Sequence, residues 1–500
     1  MTFASDAMLL DPDHCYRALL AHDTRFDGRF YVGVSSTGIY CRPVCRVRTP
    51  KAVNCRFFPS AAAAELEGFR PCLRCRPERA PMGNDAATND EAGMRFAQIA
   101  AHHIDSGFLE NRSLAALARQ LGISERHLRR VFADTFGVAP VQYAQTQKLL
   151  MARRLLRDTD LPITDIAFAA GFGSLRRLHA LFKQKYEDAP GPWRKRHSQQ
   201  RAIDTARSYH DSIEIELAYR PPYAWQAHID FLAARAIARV EAVIDDRYVR
   251  SVRIERDDKL YAGWISVGNI PSRYSLSVRI SAALVPAISI ICAKLRHLFD
   301  LGCDPHSVAA ALGALTDSLP GLRVPGAFDG FEMAVRAILG QQISVAAART
   351  LAGRIAEQLG TAFATPFAEI TRSFPTPAQW PSDAAVLQGL GITGNRIAAL
   401  TDLAQHCACG ALILEPTADV ERVLKELQSI RGIGEWTAHY IAMRALAWPD
   451  AFPHTDYAVK KALQESKPKR VLAIAEQWRP WRAYATRYLW HSLSTQETIE

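Results

Sequence analysis

Ile430-Arg-Gly-Ile-Gly-Glu-Trp-Thr-Ala-His-Tyr-Ile-Ala442 sets a Gly-Ile-Gly triplet between two stretches of helical periodicity. A hairpin built on Gly432 and Gly434 leaves the first amides of its second helix free. Such amides cradle a phosphate without reading sequence. The plain alternative is a tight helix–helix turn. Twenty-two residues past Gly434, Asp456 opens another helical stretch in Phe452-Pro-His-Thr-Asp-Tyr457. Taken alone, an Asp there is more often an N-cap than a reagent.

Outward from the hairpin, helical periodicity runs from about Val285 to Leu493. Before it, Ile213-Glu-Ile-Glu-Leu217 and Ser275-Leu-Ser-Val-Arg-Ile280 alternate as strands do. Polar stretches at 198–211 and 81–90 read as linkers. Between them, Ser113 to Phe132 predicts two helices capped by Ser113 and Ser124 with a turn at Gly122. The scheme returns from Ile163 to Lys183, with Gly171 at the turn and Ser174 as cap. Second helices of this kind point Arg126, Arg129, Arg176 and Arg177 outward for a major groove; a helical bundle with basic faces is the bland reading.

Six of ten cysteines fall in the first 75 residues, and four form the pairs Cys41-x3-Cys45 and Cys72-x2-Cys75. Two close pairs can converge on one tetrahedral ion, predicted here as one Zn2+, and spacing alone favours a purely structural role. Arginine and lysine crowd these thiols, and the chain's whole net charge of +10 lies within residues 1–201. That bias points to nucleic acid. Cys15 and Cys55 fit no ligand spacing, and Cys292, Cys303, Cys407 and Cys409 read as structural. Neither an iron–sulfur spacing, a secretory signal nor an apolar run long enough to span a bilayer is present in the sequence, so a cytoplasmic, nucleoid-associated bacterial protein without membrane partners is expected.

Three resemblances sharpen these readings. Phe30 to Arg48 and Gly68-Phe-Arg-Pro-Cys-Leu-Arg-Cys-Arg-Pro77 closely resemble the N-terminal domain of the Ada adaptive-response regulators. That resemblance implies that Cys41 accepts the methyl group of a DNA methylphosphotriester, with Cys45, Cys72 and Cys75 as the other zinc ligands. The second helical repeat, through Pro190-x2-Trp193-Arg194, resembles the AraC-type signature, departing from it at Leu178 and Glu187. Residues 213–493 resemble the AlkA-type 3-methyladenine glycosylases of the HhH-GPD superfamily. Motifs that carry the match include Tyr219-Arg-Pro-Pro-Tyr-Ala-Trp225, Phe231-Leu-Ala-Ala-Arg-Ala236, Ala337-Ile-Leu-Gly-Gln341 and Trp478-Arg-Pro-Trp-Arg-Ala-Tyr484.

The glycosylase resemblance implies that Asp456 stabilises an oxocarbenium-like sugar, and that Trp436, Tyr440, Tyr457 and Trp490 line a base pocket. Trp436 stands where bifunctional members carry a Schiff-base lysine, which implies hydrolysis without strand cleavage. Gln342 occupies the position of an apolar wedge in some members. The expected architecture is multidomain and mainly α with α+β parts. It comprises a zinc-bound α/β domain (1–80), a double helix-turn-helix domain (94–197), an antiparallel-sheet α+β domain (212–295) and a helix-hairpin-helix glycosylase domain (296–493). The expected partners are double-stranded DNA, damaged or in a promoter operator, and RNA polymerase. The competing expectation is a transcription regulator whose C-terminal half binds damage without catalysis. A third is a glycosylase whose N-terminal half only delivers it to DNA.

Overall fold

The computed structural model describes residues 10–81, 92–197, 211–256 and 258–496. The linker at 81–90 falls, after Pro81, outside the described residues, and that at 198–211 does so up to Asp211. The architecture is the mainly helical, multidomain α and α+β one expected. Of the described residues, those within 1–220, 270–293 and 301–303 form one compact unit, and those within 221–269, 294–300 and 304–500 another.

In the first unit, β1 (Tyr31–Val34) and β2 (Ile39–Cys41) form a hairpin, closed by Gly38 at φ +65°. The sheet adds β3 (Cys55–Phe58) and β4 (Arg70–Pro71) in the order β3-β1-β2-β4. Its one parallel pair, β2 with β4, sets Tyr40 opposite Pro71 and so brings Cys41 and Cys72 side by side.

The helical repeats follow. Ser113, Ser124 and Ser174 each accept a backbone N–H at the start of the helices Leu114–Gln120, Glu125–Phe136 and Leu175–Tyr186. Gly122 and Gly171 turn the chain at φ +69° and +80°. Leu117, Leu128 and Phe132 are fully buried in the first repeat, and Leu178 and Phe182 in the second. The helix Pro140–Asp158 bridges the repeats. Also in this unit, β5 (Ser212–Ala218) pairs antiparallel with β9 (Ser275–Ser281), burying Ile213, Ile215 and Leu217 on one face.

The second unit contains an antiparallel meander of β6 (Glu241–Ile244), β7 (Arg247–Arg256) and β8 (Lys259–Ile270). A buried ionic cluster ties it to the helix Gly330–Leu339. Arg250 donates to Glu332 at 2.8 Å, Arg336 donates to Glu241 at 2.8 Å, and the Tyr248 hydroxyl donates to Glu241. The helical core gathers Ile338, Ile355, Leu400, Leu427 and Ile441, and packs the helix Gly330–Leu339 against Glu435–Ala445. No helix among the described residues is long and apolar enough to cross a membrane.

Candidate functional site

The second unit brings Asp456 together with three of the four aromatic residues expected around it. Asp456 caps the helix Tyr457–Leu463: its Oδ1 accepts the Val459 N–H at 3.0 Å. The same oxygen accepts the Trp490 indole N–H at 3.1 Å, and Oδ2 accepts that of Trp436 at 2.9 Å. Cap and clamp are thus one carboxylate, fixed by three donors. The Trp436 and Tyr440 rings stack at 5.4 Å with planes 6° apart, and Trp490 leans on Tyr440 at 6.0 Å. All three are half-buried, whereas Tyr457 is 78% exposed. Tyr457 therefore stands apart from the stacked group.

The hairpin lies on the same helix. Gly432 adopts φ +100°, which favours glycine, and the buried Ile433 anchors the turn. Gly434 is the N-cap of Glu435–Ala445, and with no side chain it leaves the first-turn amides uncapped. Gln341 bolts a second loop to this turn: its Nε2 donates to Gly432 O and Thr437 Oγ1, both at 2.9 Å. Beside it, exposed Gln342 is held at φ +57°, a left-handed conformation uncommon for a non-glycine residue.

Under Tyr440 lies a cationic layer that spacing in the sequence does not suggest. Arg444 donates to the Tyr440 hydroxyl at 3.0 Å. Arg235, Arg487 and Arg444 lie 3.7, 4.7 and 4.9 Å from the Phe231 ring centroid, close enough for cation–π attraction. Burial pushes the Tyr440 phenol up, but Arg444, Arg235 and Arg336 together outweigh it and hold it below its ordinary value. Burial and the neighbouring Arg235 pull Arg487 down to about 9.

In the first unit, Cys41, Cys45, Cys72 and Cys75 place their sulfurs within 4.8 Å of one another. An ion at about 2.3 Å from four tetrahedral sulfurs sets them about 3.8 Å apart, so the donor set fits a single Zn2+ site. Two tight turns complete the pairs: Cys45 N–H donates to Arg42 O at 3.1 Å, and Arg76 N–H to Cys72 O at 3.2 Å. Backbone amides also reach the sulfur of Cys75 from Arg42 at 3.3 Å, and that of Cys72 from Arg74 at 3.4 Å. Cys41 is 6% exposed, and Cys75 is the more open ligand.

All ten cysteines are free of disulfides. Cys15, Cys292 and Cys303 are buried, Cys55 and Cys407 are half-buried, and Cys409, expected to be structural, is exposed at a helix end. Burial pushes the Cys15 thiol up to about 12. Arg126, Arg129, Arg176 and Arg177 are exposed, Arg129 pairing with Glu125 one turn before it.

Family profiles match three segments: the metal-binding domain of Ada at 14–78, a helix-turn-helix domain at 117–196 and the AlkA N-terminal domain at 214–329. A "probable bifunctional transcriptional activator/DNA repair enzyme AlkA" from Mycobacterium tuberculosis (strain CDC 1551 / Oshkosh) is 35% identical over 97% of both chains. DNA-3-methyladenine glycosylase 2 of Escherichia coli (strain K12) is 40% identical over 55% of this chain and 96% of its own. The Ada protein of the same organism, a "bifunctional transcriptional activator/DNA repair enzyme", is 33% identical over 33% of this chain and 44% of its own.

Proposed function

Since the chain belongs to the family of bifunctional transcriptional activator/DNA repair proteins, fusing an Ada-type metal-binding and helix-turn-helix half to an AlkA-type glycosylase, we propose that it performs two reactions on alkylated DNA. It takes methyl from backbone methylphosphotriesters onto Cys41, and it hydrolyses alkylated purines such as 3-methyladenine at Asp456. The observation that carries the second reaction is the Asp456 carboxylate, clamped by two indole N–H groups beside the Trp436–Tyr440 stack.

Excision needs negative charge beside C1′ as the sugar turns cationic, and a flat aromatic wall for an electron-poor base. Three donors hold Asp456 in one orientation, so little reorganisation accompanies the charge that develops. Trp436 and Tyr440 would stack the flipped base, and the Gly432–Gly434 amides and Gln342 would hold the duplex around the gap. The position of Trp436 leaves no amine there to form a Schiff base, so water is the acceptor.

Zn2+ keeps its sulfur ligands deprotonated at neutral pH. Amide N–H groups reach the sulfurs of Cys72 and Cys75, drawing electron density from them, while no such bond to Cys41 is found among the described residues. That contrast favours Cys41 as nucleophile over those two. Its sulfur attacks the methyl carbon, the S–C bond forms as C–O breaks, and the phosphodiester leaves with the electron pair. Four thiolates on Zn2+ carry about −2, which falls to −1 after transfer and lessens repulsion of a DNA backbone. Stronger operator binding through the two helical repeats, with activation of RNA polymerase, would follow.

The assay is one incubation with methylated DNA, reading released bases and methyl label on protein. Wild type should give both, Cys41→Ser only bases, and Asp456→Asn only label. Label without released base from wild type would make the C-terminal half a silent binding module. Bases without label would make the N-terminal half a delivery device.

A further inference from the structure

Beside the Cys75 sulfur, and wholly within the first unit, lies a cavity of about 180 Å³ walled by Arg42, Arg74, Arg76, Arg79, Arg273 and Glu216. Five guanidiniums around one carboxylate call for an account of where their counter-charges are. Arg42 is matched by Asp27 in a two-point pair. Arg76 is matched by Asp158, at 2.6 and 2.7 Å, and by Glu78 at 2.9 Å. Arg79 and Arg273 divide the Glu216 carboxylate between them, at 2.9 and 2.7 Å, and Arg79 also lies 3.7 Å from Asp158, which Arg76 already engages at two points. Arg74, exposed at the cavity wall, makes no ion pair among the described residues.

Arg79 is the telling member. Its Nε–H is buried without a hydrogen-bond acceptor, a costly state for a charged donor. Burial and the adjacent Arg76 pull its proton affinity down to about 10. The cavity therefore holds a guanidinium with an unmet Nε–H, two carboxylates each shared with another arginine, and Arg74 without an ion pair, in a space several times the roughly 30 Å³ that a water occupies. A cation would be repelled there, and an apolar group would leave the donors unpaired. A tetrahedral oxyanion offers several acceptors to planar forks at once.

We propose that this cavity is an oxyanion site that takes one phosphate group on Arg74, Arg79 and Arg273, next to the metal-binding sulfurs. Its walls come from two parts of the chain. Arg74 and Arg79 follow the small sheet, whereas Glu216 lies on β5 and Arg273 just before β9. A bound phosphate would relieve Glu216 of serving two cations, and would bind more tightly as the sulfur centre becomes less negative. The site stands whether or not Cys41 accepts methyl.

The test is titration of the full-length, zinc-loaded protein with inorganic phosphate, read by calorimetry and by 31P line broadening. One saturable site is expected, weakened about tenfold or more in Arg79→Gln and in Arg273→Gln. Arg79→Lys should recover part of the affinity, since it keeps the charge but not the fork. The Arg273 side chain is 55% exposed, so its substitution tests the site without a folding defect. Adding undamaged duplex separates the sources: loss of bound phosphate means that a DNA backbone phosphate occupies the cavity, and retention means a free phosphate-bearing molecule. Absence of saturable binding by wild type, or binding by both Gln variants as tight as that of wild type, overturns the proposal.

Discussion

Asp456 caps a helix and, on the proposed function, stabilises the cationic sugar, two roles that a substitution can separate. Asn keeps the helix cap through one oxygen but turns an NH2 toward one of the two indole donors, so Asp456→Asn should abolish excision while lowering the melting temperature by only a few degrees. Removing one clamp tests orientation. Trp490→Phe keeps the ring but loses a donor to a charged acceptor, worth about 1.5–3 kcal/mol, so kcat should fall about tenfold to a hundredfold with little change in KM. Gln342 gives an opposite pairing of effects. Gln342→Gly should stabilise the fold by about 1 kcal/mol, by relieving the left-handed backbone, yet weaken binding to lesion DNA, as thermal melts and gel shifts would record. Asp456, Trp436, Tyr440 and Trp490 were legible only through the glycosylase resemblance, since a hairpin, a proline loop and an Asp by themselves single out no aromatic neighbour. The cationic layer was not: Arg235, Arg444 and Arg487 are scattered along the chain, and only folding gathers them around Phe231. Gln341 was equally silent, since its role lies in a bond to Gly432 some ninety residues away.

At the level of single helices, the capping and turn chemistry is written locally in the sequence. Serine caps and glycine turns depend on neighbours within four residues, which is why both repeats appear where their patterns lie. Replacing Arg176 by Ala should weaken promoter DNA binding and lower the salt slope by about one, as fluorescence anisotropy at several ionic strengths would measure. Two helices carry buried titratable groups whose effects on stability oppose each other. Burial pushes Glu65, on Ala61–Leu66, up to about 7, although it accepts the Tyr40 and Tyr186 hydroxyls. Burial pulls His103, in the last turn of Ala92–Asp105, down to about 4, overriding the favourable helix C-terminus. Between about pH 4.5 and 7 the folded state holds the Glu65 proton and the unfolded chain does not, so stability falls as pH rises. From about pH 6.5 to 4 the unfolded chain binds the His103 proton and the folded state does not, so stability falls as pH drops. Each slope is about 1.4 kcal/mol per pH unit, and they cancel over the shared range. Denaturant melts of Glu65→Gln should therefore reveal a stability that rises with pH there, and those of His103→Phe one that declines.

Across the whole molecule, the polar stretches at 81–90 and 198–211 and the basic excess that stops near residue 201 mark candidate boundaries in the sequence. What composition does not reveal is that β5 and β9 belong to the first compact unit. Their tie to the helical part runs through contacts distant in sequence. Arg79 pairs with Glu216, Arg154 donates to Glu216 O, and the fully buried Arg220 donates to Asp27 O at 3.2 Å and Gly302 O at 3.1 Å. Co-expressed pieces 1–200 and 201–500 should accordingly elute together on size exclusion, and Glu216→Ala should loosen them.

Those bonds bear on how such a polypeptide can be taken apart. The seam suggested by its vocabulary, in the polar stretch after residue 197, is not the seam of its architecture. A shortened protein ending there would keep Arg79 and Arg154 but lose the Glu216 carboxylate and carbonyl that they donate to, and would expose the face that β5 covers. An engineer wishing to borrow the metal-bearing half as a portable module must therefore carry the β5–β9 ribbon with it, or redesign the surface that the ribbon covers.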